Sequence, residues 1–361
     1  MPCRANEDWR GNAGRDCEVY VSVRSGSRLW KLRNLPLDSL TRISVVVCTY
    51  NRADSLVKTL ESVVSQSLPQ GIDWEILVID NNSSDETRRV VEDFCLQHPQ
   101  RVRYLFEPQQ GVSHARNAGV RGARGEIVAF IDDDETADTQ WLLNLTANLF
   151  SVDWAGAGGR VMPQWNGSRP RWTQSESSFI AGPLAMFAPS IDEGELTEPP
   201  FGANMAFKRE MFDRFGGFRT DLGRVGKALL SGEDTEFGRR LLSAGLRLHY
   251  EPSAVTHHPV EESRLRRRYF LSWWFYKGKS DIRELADQGQ IRRLFPILLR
   301  LFRDAAVEAV RWVITFDPAR RFICVLKIWA YAGQAFEYYR QSSDAKKKAH
   351  SSIQMRGHNR D

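Results

Sequence analysis

Long hydrophobic runs are missing from this sequence. No stretch of about 18 or more uncharged apolar residues occurs, so a membrane-spanning helix is not expected. Cysteine is scarce: Cys3, Cys17, Cys48, Cys95 and Cys324 are odd in number and scattered, with no C-x-x-C pair. That argues against a disulfide frame or a cysteine zinc site and fits reduced thiols in a cytoplasmic setting. Residues 1–42 are polar and charged and lack the apolar core of a secretory signal. Two phosphate-gripping motifs are also absent. No G-x-G-x-x-G follows the first clear strand, Ala155-Gly156-Ala157-Gly158-Gly159-Arg160 has the wrong spacing, and no G-x-x-x-x-G-K-[ST] is present. There is no internal repeat.

What is present is an ordinary globular composition, 42% hydrophobic and 26% charged over 361 residues, enough for one large domain or two modest ones. The net charge of +5 hides an asymmetry. Residues 264–361 hold 21 Lys/Arg against 9 Asp/Glu, which leaves 29 basic and 36 acidic residues in the rest. An acidic body with a basic, aromatic tail points to contact with something anionic.

From Ile43 the pattern alternates. Ile43–Cys48 is a β-branched run that predicts a buried strand, followed by a helix with Leu56, Leu60, Val63 and Val64 on one face. Pro69-Gln70-Gly71 stops that helix. Glu75–Asp80 predicts a second strand, Val90, Val91 and Phe94 a second helix, and Val102–Phe106 a third strand. Ser113–Arg124 is a helix rich in small residues, and Ile127–Ile131 is a fourth strand. This βαβαβαβ order predicts an α/β fold with a mostly parallel sheet covered by helices on both faces. Trp154–Met162 adds a strand, residues 163–200 read as long loops over a site, and Phe201–Arg209 reads as a strand leading into a short helix. Gly232-Glu233-Asp234 opens a helix that Gly245 ends, Leu246–Tyr250 is a last strand, and His257-His258-Pro259 follows.

Asp132-Asp133-Asp134 closes the fourth strand. Adjacent carboxylates repel, and at the end of a buried strand they need a positive partner. A divalent cation with oxygen ligands, shared with a substrate diphosphate, supplies one; a solvated acidic turn is the alternative. Further polar clusters, Thr49–Arg52, Asp80–Asp85 and Gln109–Asn117, fall on the same edge, where open sheets bind ligands.

Val46-Val47-Cys48-Thr49-Tyr50-Asn51-Arg52, Val78-Ile79-Asp80-Asn81-Asn82-Ser83-Ser84-Asp85, the Asp132–Asp134 triplet and Gly232-Glu233-Asp234 together resemble glycosyltransferase family 2. The resemblance covers about residues 43 to 270. It implies a GT-A, Rossmann-like sheet and an inverting transferase that uses a nucleotide sugar and Mn2+ or Mg2+. Thr49, Tyr50, Asn51, Arg52, Asp80 and Arg116 would line the nucleotide pocket, Asp80 at the base edge. Asp132 would meet the ribose, with Asp133 as a spacer that can share the role. Asp134 would bind the metal, with His257 or His258 completing its shell and His257 preferred. Asp234 would be the catalytic base. Asn204, or the backbone beside it, and Glu233 would contact the donor sugar or acceptor. A Gln-x-x-Arg-Trp motif, which processive members carry after the catalytic acid, is missing; the region reads Arg264-Leu265-Arg266-Arg267-Arg268-Tyr269, so transfer of one sugar is expected.

The expected division is an N-terminal extension over 1–42, the GT-A domain over 43–270, a basic aromatic helical region over 271–340 and a disordered tail over 341–361. In the helical region, Ile291–Arg303 is basic and amphipathic, which suits an interfacial helix on an anionic membrane, with packing on the body or a homodimer contact as alternatives. A cytoplasmic enzyme, peripheral on the inner face of the plasma membrane, acting on a saccharide or lipid-linked acceptor in cell-surface polysaccharide or glycolipid synthesis, is the resulting expectation. Nucleic acid is not, because no binding motif accompanies the charge. Sugar-phosphate nucleotidyl transfer and a catalytically silent membrane-associated sugar-binding protein are the competing readings.

Overall fold

In a computed structural model, the backbone is described for residues 19–22, 29–32, 41–150, 153–174, 177–189, 191–226, 228–287 and 294–358, and side chains within those ranges from 43 to 285 and from 297 to 343. In chain order the elements are β1 Val19–Ser22, β2 Leu29–Leu32, β3 Thr41–Thr49, α1 Ala53–Val64, β4 Ile72–Asp80, α2 Thr87–Gln97, β5 Val102–Phe106, α3 Val112–Gly122, β6 Ile127–Asp132, β7 Thr136–Ala137 and α4 Trp141–Ala147. They continue as β8 Gly156–Trp165, α5 Ser178–Ala181, β9 Gly194–Glu195, β10 Asn204–Lys208, α6 Arg209–Phe215, α7 Glu233–Ser243, β11 Leu248–Val260, α8 Arg267–Asp287, α9 Leu294–Ile314 and α10 Pro318–His358.

The main sheet runs β5-β4-β3-β6-β10-β8-β11-β7, with β9 on β11. β5, β4, β3 and β6 are parallel; β10 is antiparallel to β6 and β8, and β11 is parallel to β8. Alternation along the strands sends side chains to two cores. Val45, Val47, Ile76 and Val78 meet Leu56, Leu60 and Val63 of α1 and Trp141 of α4 on one face. Val46, Leu77, Ile79 and Phe130 meet Ala115 and Ala118 of α3 and Phe237 of α7 on the other. Each such side chain, fully buried, contributes roughly 1.5–3 kcal/mol. A sheet covered on both faces leaves its strand ends as the natural place for a site.

A third core joins the C-terminal helices to the body. Phe270 of α8 and Phe322 and Leu326 of α10 pack with Ile180 and Leu184. The helical region expected to start at 271 therefore shares a core with residues before it. α8 and α10 approach closely because glycine stands at both crossings. A Cβ at Gly278 would lie 2.1 Å from the Ala330 carbonyl oxygen, and one at Gly333 would lie 2.0 Å from that of Phe275. Residues 163–200, expected as loops, include α5 and two single-turn helices. The tail expected to be disordered from 341 is helical to His358; its run Ala345-Lys346-Lys347-Lys348-Ala349 consists of strong helix formers. Of the N-terminal extension expected over 1–42, the β1–β2 pair is described, antiparallel with Val19 opposite Leu32, and Thr41 and Arg42 already belong to β3.

Candidate active site

A cavity of about 350 Å3 opens at the carboxyl ends of β3 and β6. The end of β3 contributes Cys48, Thr49, Tyr50 and Arg52, and the end of β6 contributes Asp132, Asp133 and Asp134. α3 adds Arg116, and the start of α7 adds Glu233 and Asp234. Gly202 and Ala203 bring backbone to the wall, β11 brings His258, and Arg264 follows it. Arg224, Trp273 and Lys277 complete the charged and aromatic lining. Five carboxylates thus face five cations, Arg52, Arg116, Arg224, Arg264 and Lys277. So balanced a wall suits an anionic diphosphate whose charge a divalent cation offsets.

The charges are sorted locally. Arg52 pairs with Asp134 and lies 3.5 Å from Asp133. Arg264 is 3.2 Å from Asp134 and also donates to His258 Nε2. Buried Arg116 pairs with Glu233 and reaches Asp132 at 3.3 Å. Its guanidinium passes beside Gly202, where a Cβ would lie 2.4 Å from it, so only glycine leaves that path open. The Gly202 N–H donates to Asp234 Oδ2 at 2.6 Å, which fixes the Asp234 carboxylate at the N-terminus of α7.

These surroundings separate the acids. Burial raises the Asp133 carboxyl to about 7, with Asp134 and Asp132 reinforcing and Arg52 opposing. Burial also acts to raise Asp134, but His258, Arg52 and Arg264 hold it down at about 2. Glu233 is pushed up to about 7 by burial and by Asp234 beside it, against Arg116. Burial lowers the His258 imidazole to about 4, although Asp134 pulls the other way. Burial pushes the Cys48 thiol up to about 12, which leaves it a poor nucleophile.

Four residues expected in the site stand elsewhere. His257 points away from the cavity and its Nε2 lies 2.9 Å from Asp138 Oδ1. Burial alternates along β11, so neighbouring histidines face opposite ways, and His258 is the one inside. Asn204 is fully buried. Its side chain accepts from Trp141 Nε1 and donates to the carbonyls of Arg160 and Ala254, so it braces three strands, and its neighbours Gly202 and Ala203 line the cavity instead. Asp80 ends β4, accepting from the Tyr104 hydroxyl and the Ser83 N–H at 2.9 Å each, behind Asn81, which does line the cavity. Asn51, at φ 51°, accepts from the Ser84 N–H at 2.7 Å and ties the β3 and β4 turns together. The residues not foreseen are Arg264, Arg224, Trp273 and Lys277. The basic run from Arg264 was the one visible signal, but its link to Asp134 spans 130 residues.

A cation fits this donor set. His258 Nδ1 is buried without a hydrogen-bond partner, 3.7 Å from Asp134 Oδ1 and 3.9 Å from Glu135 Oε1. A neutral imidazole nitrogen beside carboxylates suits manganese-type ions. Among the described residues, the trio of metal-type ligands whose donor atoms all lie within 4.8 Å of one another is Glu193, His249 and Glu251, at the opposite end of β11 and outside the cavity walls.

Residues 44–216 match the family described as glycosyl transferase family 2. Succinoglycan biosynthesis protein ExoM of Rhizobium meliloti (strain 1021) is 29% identical over 301 residues, 83% of this chain and 93% of that protein. Glucosyl-dolichyl phosphate glucuronosyltransferase of Haloferax volcanii is 29% identical over 244 residues, 66% of this chain and 76% of that protein. Among solved structures, mannosyltransferase PcManGT from Pyrobaculum calidifontis, in complex with GDP-Man and Mn2+, is similar with a TM-score of 0.59 at 21% identity, covering 84% of this chain and 89% of that one. The fold is thus the GT-A fold of nucleotide-sugar transferases. Within that class residues 44–216 match glycosyltransferase family 2, and the protein is a glycosyltransferase with relatives in polysaccharide and glycolipid biosynthesis.

Proposed function

We propose that this enzyme moves a single sugar from a UDP- or GDP-sugar to a saccharide or lipid-linked acceptor with inversion, and that it requires Mn2+ or Mg2+. The observation that carries the reading is that Asp234, held by the Gly202 N–H, shares one cavity with Asp134 and His258. Thr49, Tyr50, Arg52, Arg116, Asp132 and Asp133 are assigned to the nucleotide and its diphosphate. Asp134 and His258 are assigned to the cation, which when bound would offset charge on the departing phosphate as a Lewis acid. A relative named for a glucosyl-dolichyl phosphate substrate supports the lipid-linked alternative for the acceptor.

In the transfer, Asp234 takes the proton of the acceptor hydroxyl as that oxygen bonds to the anomeric carbon. The bond from that carbon to the diphosphate breaks on the opposite face, its electron pair leaving with the phosphate oxygen, so the configuration inverts. Arg52 and Arg264 lie where they can take up the phosphate charge. Glu233, kept from Asp234 by its pairing with Arg116, is assigned to an acceptor hydroxyl.

Asp234→Asn tests the assignment. Nucleotide-sugar binding, measured by calorimetry with Mn2+, should be kept, while turnover falls by about 10²–10⁴-fold. Turnover at the wild-type rate would show that Asp234 is not the base.

A further inference from the structure

The outer face of α9 is apolar where a water-facing helix should be polar. Leu301, and Glu308 one heptad later, are buried, and Glu308 lies 3.0 Å from Lys327 of α10, so this side faces the protein. The opposite side carries Leu299 (57% exposed), Phe302 (75%), Val310 (61%), Val313 (62%) and Ile314 (65%). With exposed Ala306 between Phe302 and Val310, the spacing from Leu299 to Val313 is three or four residues throughout, and Ile314 borders the stripe. Phe316, 92% exposed, extends it past the helix end. Residues packed at this density on the surface mark an interaction site more than chance exposure.

Arginines flank the stripe and their acidic partners lie deeper. The side chains of Arg300 and Arg303 are 76% and 71% exposed, against 25% for Asp304, which they share. Arg311 is 56% exposed, against 5% for its partner Glu308. The charge presented outward is therefore positive, on a C-terminal region that carries 21 Lys/Arg against 9 Asp/Glu. No helix among the described residues is long and apolar enough to cross a membrane, so insertion across a bilayer is not the use of this face.

We propose that the outer face of α9 docks flat on an anionic lipid bilayer, with the Leu299–Ile314 stripe in the acyl boundary and Arg300, Arg303 and Arg311 among the headgroup phosphates. Apolar side chains bordered by cations that reach upward from the membrane are the chemistry of an interfacial helix. A second copy of the chain would match the stripe but would oppose the same arginines to each other, whereas phosphates neutralise them. α9 packs on α10, which packs on α8, and α8 supplies Trp273 and Lys277 to the cavity. The docked face thus belongs to the helical unit that walls the active site. Delivery of a lipid-linked acceptor by this route rests on the acceptor reading above; membrane binding itself does not.

Co-sedimentation of the full chain with vesicles tests this without any assay of transfer. Wild type should pellet with phosphatidylcholine vesicles containing phosphatidylglycerol, less with phosphatidylcholine alone, and less as salt is raised. Phe302→Asp with Val313→Asp should reduce the partition at least tenfold with unchanged circular dichroism, and Arg300→Glu or Arg303→Glu should each reduce it roughly fivefold or more. Wild type that stays in the supernatant with anionic vesicles overturns the proposal. So does vesicle binding that these variants leave intact, or a dimer in sedimentation velocity that the apolar variant abolishes when no vesicle binding is seen.

Discussion

The two ends of β11 carry similar ligand sets in different settings. At one end His258 lies 3.7 Å from Asp134 and 3.9 Å from Glu135. At the other His249 lies 3.7 Å from Glu193 and 3.8 Å from Glu251. By distance alone the second cluster is the tighter one, since its three donor atoms all lie within 4.8 Å of one another. What differs is the company. His258 opens on a cavity with Arg52, Arg264 and Asp234 in its walls, whereas His249 packs at a tilt against Trp154, ring centroids 4.9 Å apart, and meets the Asn148 amide at 2.8 Å. Ligand geometry marks where a cation can sit; only the cavity end adds Arg52, Arg264 and Asp234, the residues proposed for the phosphate and the base. The lesson is that the site must be read from the convergence of strand ends, and not from any one trio of donors.

That contrast can be broken at either end. The largest effect is expected for Asp134→Ala, which should abolish Mn2+-dependent nucleotide binding in calorimetry. His258→Ala should weaken Mn2+ binding in the presence of nucleotide by at least about 10–100-fold, since even partners one shell further from a metal cost that much. His249→Ala should leave it unchanged. An equal loss from both histidine variants would erase the distinction drawn here.

Next in size is Gly202→Ala, whose Cβ would lie 2.4 Å from the Arg116 guanidinium. Crowding of this kind costs about 1–3 kcal/mol, and Arg116 is tied to Glu233 and Asp132. A fall in unfolding free energy together with weaker nucleotide binding is expected, while Gly194→Ala, outside the cavity walls, should leave nucleotide binding untouched.

A smaller, pH-dependent effect should separate the cavity from the rest of the protein. The fold holds the Glu233 proton more tightly than an unfolded chain does, with the group raised from 4.5 to about 7. The stability this contributes is present below about 4.5 and is lost as pH rises through about 7. Glu233→Gln cannot titrate, so its melting temperature relative to wild type should climb between about pH 5 and about pH 8. A flat or falling difference would show that Glu233 is not held protonated by its surroundings. The smallest effect is expected for His257→Ala, whose half-exposed contact with Asp138 is a surface pair. Activity should be unchanged.

Much of this arrangement was legible in the sequence, and the failures have specific causes. Ile43–Cys48 and Glu75–Asp80 read correctly because the apolar runs Val45–Cys48 and Ile76–Ile79, rich in β-branched residues, leave little choice but a buried strand. Asp132–Asp134 stood out because three acids beside such a strand need positive partners, and Arg52, Arg116 and Arg264 are among them. The histidine preference failed because β11 was read as ending at Tyr250. The strand instead runs on to Val260 across a register shift between Glu251 and Val255, and a bulge resets which side chains face inward. Of the pair Asn204 or the backbone beside it, only Gly202 and Ala203 reach the cavity wall, because the Trp141 indole and the two carbonyls that hold the Asn204 side chain come from residues 44 to 63 positions away. Trp273 and Lys277 were invisible for the same reason. Nothing local says that α8 folds back over the strand ends, because the cause is the core that Phe270 shares with Ile180 and Leu184.

Anomalous diffraction from crystals grown with Mn2+ and a nucleoside diphosphate tests the central claim most directly. The manganese peak is expected beside Asp134 and His258, with the diphosphate between it and Arg52 or Arg264. A peak at Glu193, His249 and Glu251 alone, or nucleotide bound in the cavity with no metal near Asp134, would mean that the strand-end carboxylates do not serve as the cation site.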